Sequence, residues 1–368
     1  MQATPAVEPV VSVVVPAHNA ASWITEALES VLAQTYAAWE LIVVDDGSSD
    51  DTPALAGEVA ARDPRVRLIR QRNRGVAAAR NAGITASAGR YIAPLDADDF
   101  WFPDKLALQV AALEAAGPEA GLAYCWSAHV DERSRLTGGT IAGREEGDAF
   151  GALFLGNFIG NASTPLMRRE ALDAVGLNDT MFFARGAQGC EDRDLYLRIA
   201  ERFRVVLVPR VLVGYRVTPG SMSASHRTML RSHRLLFAKV RARRPDLPGE
   251  LFRWANAFYD FYLERTAARS GRPLAALGLL ARAAWQEPVV LGLRQYWHLV
   301  RLRCAAAARR VLGGSGHPRR HVVDGTLTPA MLEARVANQP GATGGLALLR
   351  RRRAAAARRL ARPERGSG

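Results

Sequence analysis

The stretch from Tyr91 to Pro103 constrains this chain more than any other. An apolar run over residues 91–95 stops at three carboxylates in four positions, Asp96, Asp98 and Asp99. Aromatics and Pro103 follow, and Asp104-Lys105-Leu106 opens a helical pattern. An apolar strand ending in acids puts negative charge at the C-terminal edge of a sheet, where open α/β sheets take their ligands. Acids this close repel one another and are hard to keep ionised without a cation. Oxygen ligands on a short turn suit Mg²⁺ or Mn²⁺, bound by one or two carboxylates together with substrate phosphates. The same acids suit a solvated turn with helix-capping carboxylates. The stretch alone leaves both readings open.

Strands and helices alternate before it. Residues 10–15 are a β-branched run, as in a buried parallel strand. Pro16-Ala17-His18-Asn19 ends it, and Ser22 is expected to cap a helix with Ile24, Leu28, Val31 and Leu32 on one face. Residues 41–44 form a second strand, ending in Asp45-Asp46-Gly47-Ser48-Ser49-Asp50, with a helix from Asp51 or Thr52. Residues 66–69 are a third strand, 75–86 an alanine-rich helix and 91–95 the fourth strand. This alternation predicts an α/β, Rossmann-like, mostly parallel doubly wound sheet. Right-handed crossovers bring Asn19, Asp45-Asp46 and Asp96-Ala97-Asp98-Asp99 to one edge. That convergence favours a site over a solvated turn. The chain has neither G-x-G-x-x-G after the first strand nor a Walker A loop, which argues against a dinucleotide oxidoreductase or a P-loop enzyme.

Composition narrows the setting. Cys125, Cys190 and Cys304 lie far apart without zinc or disulfide spacing, so a reducing, cytoplasmic compartment is expected. The first residues lack the basic and apolar regions of a signal peptide. Residues 149–167 are 19 uncharged positions, but Asn157, Asn161, Pro165 and several glycines make a buried loop and strand the better reading than a bilayer helix. Asn161-Ala162-Ser163 matches a glycosylation sequon in form only. Of the net charge of +13, residues 301–368 supply most, with 15 Lys/Arg against 3 Asp/Glu.

Four ordered stretches carry a resemblance. They are Val11-Ser12-Val13-Val14-Val15-Pro16-Ala17-His18-Asn19, Val43-Val44-Asp45-Asp46-Gly47-Ser48-Ser49-Asp50, Asn73-Arg74-Gly75 running on to Arg80-Asn81-Ala82-Gly83, and Leu95-Asp96-Ala97-Asp98-Asp99. Together they resemble family 2 glycosyltransferases, which have the GT-A fold, over about residues 10–223. The resemblance implies a nucleoside-diphosphate-sugar donor and Mn²⁺ or Mg²⁺. It implies that Asp46 bonds uracil N3, that Pro16 and Ala17 pack by the base and that Asn19 shapes their turn. It places Asp96 on ribose and metal and Asp98 on the metal, with Asp99 supporting them or capping a helix. Arg80 either reaches the nucleotide or pyrophosphate, or pairs with Asp46 or Asp96.

The rest follows more loosely. A helix is expected to about residue 116, a strand over 122–130 with Cys125 and His129 as fillers, and a polar hairpin or loop over 138–147. A helix over 150–155 and strands over 164–167, 205–208 and 211–217 complete the pattern. Gly189-Cys190-Glu191-Asp192-Arg193-Asp194 resembles the family's Glu-Asp motif, which makes Asp192 the catalytic base. An acid-rich helix N-terminus is the plainer alternative. Arg193 replaces a frequent aromatic, Thr218 a frequent histidine, and the glycine-rich loop 186–189 is expected to move on donor binding.

We expect a catalytic domain over 1–225, a helical extension over 226–312 and a linker with a basic tail over 313–368. Leu251, Trp254, Phe258 and Tyr262 should dock the extension. The expected function is inverting, metal-dependent transfer from a UDP-sugar to a glycan or lipid-linked acceptor, in cell-surface polysaccharide or glycan synthesis. The alternative is an inactive nucleotide-sugar- or membrane-binding relative. The arginine-rich tail suits peripheral contact with an anionic membrane or a solvated tail equally. It lacks the aromatic interleaving of a nucleic-acid binder, so no nucleic-acid partner is expected.

Overall fold

The computed structural model describes residues 9–218, 221, 225–311 and 327–337. The chain opens with β1 (Val11–Ala17), α1 (Ile24–Leu32), β2 (Trp39–Asp45), α2 (Thr52–Arg62), β3 (Val66–Arg70), α3 (Val76–Thr85) and β4 (Tyr91–Pro94). Next come β5 (Phe100–Trp101), α4 (Lys105–Ala116), β6 (Ala120–Val130), β7 (Leu136–Ile141), α5 (Phe150–Leu155) and β8 (Leu166–Arg168). Then follow α6 (Arg169–Val175), α7 (Met181–Ala184), α8 (Glu191–Ala200) and β9 (Arg204–Arg216). Helices α9 (His226–Arg243), α10 (Gly249–Arg269) and α11 (Pro273–Gln286), a 3-10 turn (Pro288–Gly292), α12 (Arg294–Val311) and α13 (Pro329–Ala337) complete it.

Nine strands form one sheet in the order β3-β2-β1-β4-β8-β6-β9-β5, with β7 on β6. The β3-β2-β1-β4 half is parallel. Every residue of β1 and β2 is buried, as strands covered on both faces must be. The other half is mixed, because β8 runs antiparallel to both β4 and β6, while β6 and β9 run parallel. The two strands expected over 205–208 and 211–217 are one, β9. Its register on β6 jumps from Val208 to Val211, which sets Pro209 in a bulge where its missing N–H breaks no ladder bond. Ser22 does not cap α1, which starts at Ile24 without a side-chain cap. The amides of Ala20 and Ala21 are taken instead by the Thr52 hydroxyl and the Asp50 carboxylate.

The helical extension shares a core with the sheet. Phe154 of α5 stacks on Phe237 of α9, with centroids 5.1 Å apart, and meets Phe252 of α10 edge-on at 5.0 Å. On α10 the buried apolar residues include Leu251, Phe252, Ala255, Tyr259 and Leu263. Of the expected stripe, Leu251 is buried and Trp254 packs partly buried against the same core, whereas Tyr262 is exposed. Within the segment read as linker and tail, α13 lies on the sheet: Leu332 and Val336 bury against Trp126, Ala128 and Val211. The arginine-rich stretch 350–359 lies outside the described residues. Among the described residues no helix is long and apolar enough to cross a membrane.

Candidate active site

The site forms where β1, β2 and β4 end. Asn19 stands in the left-handed region at φ 51°, which a short polar side chain tolerates. Its side-chain Oδ1 accepts from the Ser49 amide at 2.8 Å, and its backbone N–H donates to the Ser48 hydroxyl at 3.0 Å. Asn19 thus ties the turn after β1 to the turn after β2. Pro16 and Ala17 are buried in the last rung of β1, beside Val44 and Asp45. His18 and Asn19 are the exposed residues there, and His18 Nε2 lies 3.1 Å from Asn73 Nδ2.

Asp46 is buried and already engaged. It accepts from Gln71 Nε2 at 2.7 Å, the Arg74 amide at 2.9 Å and the Gly75 amide at 2.8 Å. A carboxylate has about four lone-pair positions, so one remains for a ligand. Asp46 therefore also anchors the loop that leads into α3. Gly75 closes that loop at φ 86°, and a Cβ there would stand 2.5 Å from the Phe183 ring.

The acidic turn is divided by role. Asp99 is buried, accepting from the Arg216 amide at 2.9 Å and the Ser163 hydroxyl at 2.6 Å. Burial, then the charges of Asp98 and Asp96, push it well above the usual carboxylate range. Ser163 also accepts from the Asp96 amide at 3.0 Å, and the Arg216 guanidinium holds the Asp98 carbonyl at 2.7 Å. The turn is thus bolted to segment 161–163 and to β9. Asn161 of the formal sequon is buried, with its side-chain amide on Ser127 and Ser163. Asp98 is half-buried, its carboxylate receives no side-chain donor among the described residues, and burial followed by the Asp96 charge pushes it up to about 6. Two crowded acids, one without a cationic contact, fit a divalent cation. No group of three or more His, Cys, Asp or Glu side chains converges among the described residues.

Arg80 joins this turn to α8. Its buried guanidinium donates to Asp96 at 2.6 Å and to Glu191 at 3.2 Å. Glu191 is engaged on both oxygens, since its second oxygen accepts from the Gly189 amide at 2.7 Å. Among the described residues, Asp192 accepts a hydrogen bond only from the adjacent Arg193 amide, at 2.7 Å. It lines a cavity of about 10 Å³ with Arg80, Leu195 and Tyr196, at the lower limit for one water. Burial, then the charge of Glu191, raise its pKa to about 7 against the opposing charge of Arg80.

The profile described as "Glycosyl transferase family 2" matches residues 12–176. Those residues form a glycosyltransferase family 2 domain. The chain is also similar to the succinoglycan biosynthesis protein ExoO of Rhizobium meliloti, 47% identical over 127 residues, which cover 34% of this chain and 36% of ExoO. The fold is that of a Pyrobaculum calidifontis mannosyltransferase solved with GDP-Man and Mn²⁺, at 22% identity and TM-score 0.52, covering 83% of this chain and 88% of that one. Residues 1–349 of S. aureus TarS with UDP-GlcNAc superpose at 19% identity and TM-score 0.53, covering 82% and 87%. These structures make the architecture GT-A. The chain spans only 24% to 33% of the length of the first four curated relatives that it matches.

The structure brings Arg80 and Asp96, inside the matched residues, together with the Glu191-Asp192 pair beyond them, and groups Asn19, Asp46 and the end of β1 on the neighbouring strand ends. Arg80 pairs with Asp96, one of its two expected acids, and not with Asp46. Several supports escaped the sequence: Glu191 as the second partner of Arg80, and Ser163 and Arg216 on the acidic turn. Arg193, where relatives often have an aromatic, reaches past α8 to the Leu153 and Phe154 carbonyls at the end of α5. Thr218 bonds Ser221, at 3.0 Å between hydroxyls. The loop before Asp192 is gripped by α9, with Ser232 donating to the Gln188 carbonyl at 2.7 Å and Arg231 to that of Gly186 at 3.2 Å.

Proposed function

We propose that this chain is an inverting, metal-dependent glycosyltransferase. It moves a sugar from a nucleoside-diphosphate donor, in our reading a UDP-sugar, to a hydroxyl of a glycan or lipid-linked acceptor in cell-surface glycan synthesis. The observation that carries the reading is the Arg80 bridge, which fixes the Asp96 turn beside a carboxyl with a raised pKa, Asp192. The TarS structure with UDP-GlcNAc and the free lone-pair position on Asp46 support a uridine donor. The likeness to a succinoglycan biosynthesis protein supports a glycan acceptor.

The acceptor oxygen attacks the anomeric carbon from the face opposite the diphosphate, and the bond from that carbon to the diphosphate breaks. Asp192 takes the hydroxyl proton. Glu191 is committed to Arg80 and Gly189, which leaves Asp192 as the available base. A pKa near the working pH is the best match for general-base work. Asp96 and Asp98 would hold Mn²⁺ or Mg²⁺, which supplies positive charge against the departing diphosphate.

A screen of UDP-, GDP- and dTDP-sugars with Mn²⁺ tests the donor class. Asp192→Asn should lower transfer by about 10²–10⁴-fold while leaving donor affinity by calorimetry unchanged. Collapse of donor binding in that variant would make Asp192 structural. A wild type that binds donor but turns none over would leave the inactive relative as the reading.

A further inference from the structure

The corner between α11 and α12 is apolar, aromatic and exposed. Trp285 is 88% exposed, Trp297 49%, Leu291 43% and Val289 40%. They lie within thirteen consecutive positions around the 3-10 turn, and the Trp297 indole donates to the Leu291 carbonyl at 2.8 Å, which holds the second ring on the turn. The outer face of α11 continues the surface without charge through Ala281, Gly278 and Leu274, spaced as one helical stripe with Trp285.

The charge around this corner has one sign. Residues 270–311 hold seven arginines and a single acid, Glu287, which is buried. Arg282 and Arg303 are neutralised by Asp260 and Glu264. Arg294 and Arg301 are exposed and pair with no carboxylate among the described residues. They stand three positions before and four after Trp297, on its own face of α12. Indole rings favour the level of lipid headgroups, where an apolar body and a polar edge are both satisfied. Arginine stems extend along apolar surface and carry their charge to lipid phosphates. A second copy fits poorly, because a two-fold contact would set the same arginines against one another.

We propose that this corner docks on an anionic lipid bilayer, with Trp285, Val289, Leu291 and Trp297 at headgroup level and Arg294 and Arg301 on lipid phosphates. The surface is separate from the acidic turn, and docking does not depend on the transfer chemistry.

The test is co-sedimentation of the full chain with phosphatidylcholine vesicles, with and without phosphatidylglycerol. Wild type should sediment with the anionic vesicles at low salt. Trp285→Ser with Trp297→Ser should raise the lipid needed for half-sedimentation roughly tenfold or more. Arg294→Gln with Arg301→Gln should raise it on the order of 30-fold at low salt, the worth of two basic side chains near such a surface. These side chains are exposed, so melting temperatures should stay unchanged, and Trp285→Ser alone serves if the double variant melts early. Equal sedimentation of wild type and the tryptophan variant would overturn the proposal and pass any membrane contact to another surface. Equal capture by neutral vesicles would overturn it as an anionic site. A wild-type dimer that becomes monomeric in the tryptophan variant without lipid would give the corner to a second copy.

Discussion

At Asp192 one carboxyl has been moved from about 3.8 to about 7 by burial and by the charge of Glu191. The sign of the resulting stability change is definite. Between those two values the unfolded chain has lost its proton and the folded chain keeps it, so stability falls as pH rises through that window. The loss is at most about 4 kcal/mol, at about 1.4 kcal/mol for each pH unit the window spans. Asp192→Asn has no such proton and should be more stable than wild type at pH 8, with the difference vanishing toward pH 4, as read by urea unfolding. The kcat/KM of the wild type should fall as pH drops below 7, where the base becomes protonated. A variant no more stable than wild type at pH 8 would mean that the carboxylate is ionised and well satisfied there. The identity of such residues was legible, because acids at strand ends and helix starts stand out in the sequence. Their partners were only half legible. Asp96 was one of two acids named for Arg80, whereas Glu191 lies 111 positions away, beyond any spacing rule.

Between elements, Arg80 on α3 links the turn after β4 to the first residue of α8. Its charge is buried with that of Glu191, so loss of one partner strands the other. Arg80→Met should cost about 3–5 kcal/mol in urea unfolding. Adding Glu191→Gln should recover a large part of it, as a coupled pair in a double-mutant cycle does. Simple additivity of the two changes would show that the bridge stores no coupling. The strands that build this corner were readable because β1, β2 and β4 are apolar runs buried on both faces. The two-residue β5 was not, being too brief for any periodicity, whereas β8 falls on the strand expected over 164–167. The face of α10 was misread because the helix packs against three others, α5, α9 and α11, so no single stripe marks its core.

For the whole molecule, the composition change near residue 226 is real, but it marks no gap in packing. Phe237, Phe252 and Tyr259 of the extension lie in one cluster with Phe154, Cys190 and Tyr196, and Cys190 Sγ is 3.5 Å from the Tyr259 hydroxyl. The sequence showed the helices without showing what they cover, since burial against a distant loop leaves no local pattern. The same holds for α13, whose nine residues carry only two core side chains, Leu332 and Val336, inside a stretch that reads as linker. These contacts rank two shortened chains by thermal melting. A chain ended at 326 loses Leu332 and Val336 from Trp126 and Val211, and should lose about 3–6 kcal/mol, the burial of two apolar side chains. A chain ended at 225 strips the rings from Phe154 and the α9 donors from the Gln188 and Gly186 carbonyls, and should give no cooperative melt. Cooperative melting of that shortest chain near the full-length temperature would make the extension an appendage, and the position of Asp192 would then have to come from Arg80 and Arg193 alone.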